Sequence, residues 1–296
     1  MPDTHPPLLS AKELIEEAKR HHQAGRLHEA ELLFEKVITL DPRHAETLHW
    51  LGAIAYQDGR YDAAIERIGK AIAIDPTNAL YHSNLGTALR ELGQYEQAVA
   101  SYRNALRIKP NFAEAHYNLG IALKGIGWLD GAIAAYRTAI RIKPDFAEAH
   151  LNSGNALMTL NWLDDAIAAY RLAIHFKPDY VEAHLNVGNA LRDQGRYEDA
   201  IAAYHTAISY DSNCADAYCN LGIALKESGN LDDAVTAYGT ALKLRPDYAD
   251  AHSNLGNLLT ELACFNDALD AFATAIRIEP NLANAHFNES RTRLLL

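Results

Sequence analysis

Seven prolines fix the architecture of this 296-residue chain. After Pro2, Pro6 and Pro7 come Pro42, Pro76, Pro110, Pro144, Pro178, Pro246 and Pro280, spaced 34, 34, 34, 34, 68 and 34 residues apart. The absent member of the series falls at Ser212. A fixed period of this length marks a repeat architecture, in which each element buries its apolar face only by stacking on the next. With proline at position 32, eight repeats run 11–44, 45–78, 79–112, 113–146, 147–180, 181–214, 215–248 and 249–282. Residues 1–10 form a leader expected to be disordered, and 283–296 begin a partial ninth repeat or capping helix.

Other columns keep the same frame. Position 8 is glycine from Gly52 to Gly256, and position 20 is alanine in every repeat from Ala30 to Ala268. Position 24 is aromatic except at Ile68, for example Tyr102, Tyr136, Tyr170, Tyr204 and Phe272. In the repeat 113–146, apolar residues at positions 3, 7, 10 and 11 form a helical stripe. Gly127 suits the left-handed residue that ends a helix. A second helix follows with Leu129, Ala132, Tyr136 and Ala139 inward, and Pro144 closes it. Each repeat is thus a helix–turn–helix and the fold is all-α. The small residues allow close helix contact, and the ring at position 24 is expected to fill the space between repeats. Loss of proline at Ser212 removes a helix stop and predicts a softer junction there.

Charge narrows the function. The net charge is −11, from 27 Lys+Arg against 38 Asp+Glu. Nucleic-acid binding needs clustered cations, so that sign argues against it and against anionic membrane surfaces. Mean hydropathy is −0.20 and no long apolar run is present. The N-terminus lacks the basic and apolar regions of a signal peptide. Cys214, Cys219 and Cys264 read as reduced thiols of a cytoplasmic protein. No cofactor is expected.

Catalytic and metal signatures are missing. No serine sits in a nucleophile elbow and no glycine-rich phosphate loop occurs. His82, His116, His150, His184, His252 and His286 share position 4. Neighbours in that column stand about one helix spacing apart, roughly 10 Å, too far for shared zinc ligation. Packing is the expected role. The carboxylates at position 2, such as Glu114 and Glu148, suit the first turn of a helix.

Period and columns resemble the tetratricopeptide repeat, on Leu119, Gly120, Ala132, Tyr136, Ala139 and Pro144 in the repeat 113–146. The resemblance covers residues 11 to 296 and implies a right-handed α-solenoid, a superhelix whose concave side is lined by the first helix of each repeat. Its polar stripe comprises positions 2, 5, 6, 9, 12 and 13. Position 6 reads Asn84, Asn118, Asn152, Asn186, Asn220, Asn254 and Asn288, while the first two repeats carry Glu16 and Trp50. Asparagine is a mediocre helix former, and its amide both donates and accepts. Helices about 8–10 Å apart against a chain advancing about 3.3 Å per residue put one amide at every third residue of a bound extended segment. The other reading is that these amides link neighbouring repeats.

The asparagine column resembles the tetratricopeptide superhelix of O-linked N-acetylglucosamine transferases, and bacterial proteins joining such repeats to a glycosyltransferase-like domain. That resemblance implies a noncatalytic scaffold for an extended peptide or protein segment, or alternatively the substrate-recruiting region of a glycosyltransferase whose catalytic domain lies outside this chain. Arg90, Lys124, Arg192 and Lys226 at position 12 add cations that form a solvated face or accept acidic groups of a ligand. The chaperone-tail subfamily needs lysine at position 5, which is missing here, where His49, Ser83 and Cys219 stand instead. Residues at positions 5, 9 and 12 are expected to select side chains. Trp128 and Trp162 in the inter-helix turns, and the apolar end Leu294–Leu296, offer surfaces for self-association or a partner. The apolar end is otherwise read as a point of continuation, with the chain then expected to be the N-terminal region of a longer protein.

Overall fold

A computed structural model describes residues 10–296. Residues 1–9 of the expected leader lie outside the described residues. The chain divides into two compact units, Met1–Pro144 and Asp145–Leu296. The first holds α1 (Ala11–Gln23), α2 (Leu27–Leu40), α3 (Ala45–Gln57), α4 (Tyr61–Ile74), α5 (Ala79–Glu91), α6 (Tyr95–Ile108), α7 (Ala113–Gly125) and α8 (Leu129–Ile142). The second holds α9 (Ala147–Thr159), α10 (Leu163–Phe176), α11 (Val181–Asp193), α12 (Tyr197–Tyr210), α13 (Ala215–Glu227), α14 (Leu231–Leu244), α15 (Ala249–Glu261), α16 (Phe265–Ile278) and α17 (Ala283–Arg293). No strand occurs among the described residues, and each unit is an all-α solenoid of stacked helix pairs.

Within each unit the first helices of successive pairs touch one another directly: α3, α5 and α7 in one, α9, α11, α13, α15 and α17 in the other. No comparable contact joins successive second helices among the described residues, so the first helices lie on the inner side of each stack. Ser10 caps α1 in a capping box. Its Oγ accepts from the Glu13 N–H at 3.3 Å, while the Glu13 carboxylate accepts from the Ser10 N–H at 2.8 Å.

The turn within each pair is a backbone requirement. Position 15 takes positive φ throughout, from 71° at Gly93 to 86° at Gly229, and 60° at both Asn161 and Ala263. The chain closes behind it by reverse bonds, as when Cys264 N–H reaches Leu259 O at 2.8 Å and Ala263 N–H reaches Thr260 O at 3.1 Å. Alanine is strained in that conformation by about 1–2 kcal/mol, against a smaller entropic cost for glycine. Ala263→Gly is therefore expected to stabilise the α15–α16 pair by about 1 kcal/mol, read as slower amide exchange in those helices.

The ring at position 24 sits elsewhere than expected. It presses on the glycine of its own repeat, within the helix pair rather than between pairs. A Cβ added at Gly188 would stand 2.5 Å from the Tyr204 ring, and one at Gly222 2.7 Å from Tyr238. Tyr102, Tyr136, Tyr170, Tyr204 and Tyr238 are all fully buried. Glycine at position 8 is thus a matter of space, not of backbone freedom.

Two further expectations are refined. α12 ends at Tyr210, two residues before Ser212, as α10 ends two before Pro178, so the helix stops without the proline ring. There Asp211 Oδ1 accepts from the Asn213 N–H at 3.0 Å and turns the chain. The position 4 histidines do more than pack: Nε2 of His82, His116, His184, His252 and His286 bonds the carbonyl of the preceding repeat's proline at 2.8–3.0 Å. Where Ser212 replaces proline, Tyr218 replaces histidine.

Candidate functional site

The candidate site is the inner face of each unit, built from the exposed edge of the first helices. The seven position 6 asparagines are all half-buried there. In the Met1–Pro144 unit, Asn84 Nδ2 donates to His49 Nε2 at 2.7 Å. Burial pushes that imidazole down to about 4, against a weaker opposing pull from Glu46, so the ring is neutral and accepts. Asn118 Oδ1 accepts from Arg90 Nη1 at 3.2 Å.

In the Asp145–Leu296 unit, Asn152 Nδ2 donates to Glu148 O of its own helix at 3.1 Å. Asn186 Nδ2 donates to Asn155 Oδ1 at 2.9 Å, one repeat back. The buried thiol of Cys219, one repeat before Asn254, is pushed up by its burial. The side chains of Asn220 and Asn288 direct no hydrogen bond to the protein among the described residues. Asparagines thus serve the scaffold and still present unused amide groups.

Position 9, expected to select side chains, also carries a bond to the position 24 tyrosine that sequence reasoning did not foresee. Tyr170 Oη donates to Asn155 Oδ1 and Tyr204 Oη to Asn189 Oδ1, both at 2.9 Å. Asn155 Oδ1 therefore accepts two bonds, which fixes its amide with Nδ2 available. Asn186, whose Nδ2 is engaged, keeps Oδ1 available beside it. Donor and acceptor from neighbouring repeats stand side by side, the pattern that one peptide group presents in mirror form.

The cations at position 12 are mostly committed. Arg90 pairs with Glu91 at 2.6 Å and Arg192 with Asp193 at 3.0 Å. Lys226 lies 3.5 Å from Glu227 and 3.7 Å from Glu261. Lys124 is exposed and has no ion pair among the described residues. At position 5, expected to select side chains, His49, Ser83, Leu151, Cys219 and Ser253 are buried, Tyr117 and Leu185 are half-buried and Phe287 is exposed. Trp50, at position 6 of its repeat, stacks on Phe34 at 6.0 Å and donates to Glu46, closing the face at that point.

Outside this face, Trp128 is 51% exposed and Trp162 49%. The Trp128 ring lies on Gly131 of its own helix, with the Arg103 guanidinium 6.0 Å away. Leu294, Leu295 and Leu296 are exposed. No cluster of His, Cys, Asp or Glu among the described residues could hold a metal. No described helix is long and apolar enough to cross a membrane.

Solved structures similar to the chain include MamA, at 28% identity and TM-score 0.52 over 54% of this chain and 94% of that one. YrrB aligns at 21% identity and TM-score 0.53 over 64% of this chain and 97% of that one. A chain of the APC/C hetero-tetramer Cut9–Hcn1 aligns at 18% and TM-score 0.62 over 96% of this chain and 56% of that one. The last two bear on the fold alone. No curated protein matches the chain at a significant level. The TPR repeat profile matches residues 86–127, 126–161, 154–191, 188–229 and 222–262, and a tetratricopeptide repeat profile matches 21–86. With helix pair, glycine–ring contact and left-handed turn recurring through the matched stretch, the chain belongs to the tetratricopeptide repeat family.

Proposed function

We propose that the chain is a noncatalytic interaction scaffold that holds an extended peptide or protein segment along the inner face of its first helices. The asparagines grip main chain, and the residues between them choose side chains. The observation that carries this reading is the Asn155–Asn186 pair, where scaffold bonds fix a free donor beside a free acceptor. YrrB, which shares the fold, is described as a TPR protein with an unusual peptide-binding site. The free thiols fit a reducing compartment such as the cytoplasm. The alternative, substrate recruitment for a glycosyltransferase domain outside the chain, rests on resemblance of the asparagine column, and no observation in the fold favours it.

The test is peptide-array binding by wild type beside the triple variant Asn152/Asn186/Asn220→Ala, with thermal melts as control. Each lost bond is worth about 1 kcal/mol, so affinity is expected to fall at least about tenfold with the melt little changed. Equal binding by both proteins would assign the asparagines to the scaffold alone.

A further inference from the structure

The repeat 45–78 departs from its neighbours at two positions that meet. Position 24 is Ile68, where every other repeat has an aromatic ring, and position 9 is Ala53, where the repeats 79–112, 147–180 and 181–214 have Thr87, Asn155 and Asn189. In those repeats the tyrosine hydroxyl reaches the position 9 side chain: Tyr102 Oη lies 3.1 Å from Thr87 Oγ1, and Tyr170 and Tyr204 bond their asparagines at 2.9 Å. Here both members of the pair are truncated and apolar. The space is left as a cavity of about 220 Å³ lined by Ala53, Tyr56, Gln57, Ile68, Asn84 and Thr87.

We infer that this cavity takes one aliphatic side chain (Leu, Ile or Met) of the bound segment; this rests on the reading of the inner face as a peptide groove. Its volume falls below the about 300–1,000 Å³ of pockets for whole small molecules, which points to a single side chain. Most of its polar side chains already spend a group on the scaffold, which disfavours a polar occupant. Thr87 Oγ1 donates to Ser83 O at 3.1 Å, Asn84 Nδ2 is held by His49 at 2.7 Å, and Gln57 Oε1 lies 3.2 Å from His22 Nε2. Asn84 Oδ1 is left at the rim, placed to accept a main-chain N–H beside the inserted residue. The repeat thus supplies an anchor where the repeats 147–180 and 181–214 supply an amide.

The experiment pans a phage-displayed library of random dodecapeptides against the full chain, then measures selected peptides against variants. Peptides enriched on wild type are expected to share one aliphatic position, and truncating it to alanine should weaken binding about thirtyfold. Ile68→Tyr places on Gly52 the ring that Gly86 and Gly188 already accept, so the fold is kept while the cavity is filled. It should weaken the parent peptide by the same factor and leave the truncated peptide unaffected. Ala53→Leu fills the cavity from the other wall and should behave alike. If both variants retain wild-type affinity and the same enriched motif, the anchor inference is overturned. Loss of that binding in Asn84→Ala/Asn118→Ala would then leave the groove reading standing. Peptides that ignore the asparagines but lose affinity in Ile68→Tyr keep the anchor and reject the amide grip. A library that yields no enriched peptide overturns both.

Discussion

Tyr204→Ala is expected to destabilise the Asp145–Leu296 unit by about 4 kcal/mol. The ring is fully buried, its edge lies where a Gly188 Cβ would be, and its hydroxyl bonds Asn189. Alanine would remove the transfer energy of the ring and leave a cavity between α11 and α12, because glycine offers no side chain to collapse into it. It would also free Asn189 Oδ1. Tyr136→Phe provides the contrast. Tyr136 is equally buried, but Ile121 stands at position 9 and the Tyr136 hydroxyl has no hydrogen-bond partner among the described residues. A buried hydroxyl without a partner costs free energy, so its removal should be neutral or stabilising. Tyr204→Phe, which breaks a made bond, should cost about 1 kcal/mol. Amide exchange in α11 and α12 against α7 and α8 separates the three cases. Equal effects of the two Tyr→Phe changes would contradict the role assigned to position 9.

The sequence made the helix pair and its period legible because proline, glycine and alanine mark backbone and packing constraints local to one repeat. It misled where a geometric slot is filled by an unusual residue. Asn161 and Ala263 adopt the positive φ that glycine signals elsewhere, so the slot persists while its marker is lost. Ser212 shows the reverse, a lost marker at a turn that other groups complete. Contacts between distant columns were illegible as such. The histidine–proline carbonyl bond and the tyrosine–asparagine bond join positions 6 and 15 residues apart, across turns whose geometry sets the distance. Their trace is paired departure at two places, Ser212 with Tyr218 and Ile68 with Ala53. The asparagine column itself was plain in the sequence, but its division between scaffold bonds and free groups depends on which neighbour stands within reach.

Acid should weaken the Met1–Pro144 unit through His49. The imidazole is 6% exposed, stacks on Tyr81 at 4.6 Å and accepts from Asn84. Protonation would bury a charge and abolish that acceptor. Glu46 offsets this only in part, since its carboxylate is engaged by Lys19 at 2.8 Å. Folding therefore holds the ring at about 4 where the free side chain sits at 6.5. Below 6.5 the unfolded chain binds a proton that the native state refuses, so stability falls as pH drops from 6.5 toward 4 and levels off beneath it. The full effect is about 3 kcal/mol. The position 4 histidines differ in kind, because a ring that donates to a proline carbonyl keeps that bond when protonated. His49→Gln retains an acceptor for Asn84 without a titrating group. It should remove most of the acid-induced loss of amide protection in α3 and α5, while His116→Gln should not. If both variants follow the wild-type pH profile, acid sensitivity arises elsewhere and His49 is already relieved by solvent.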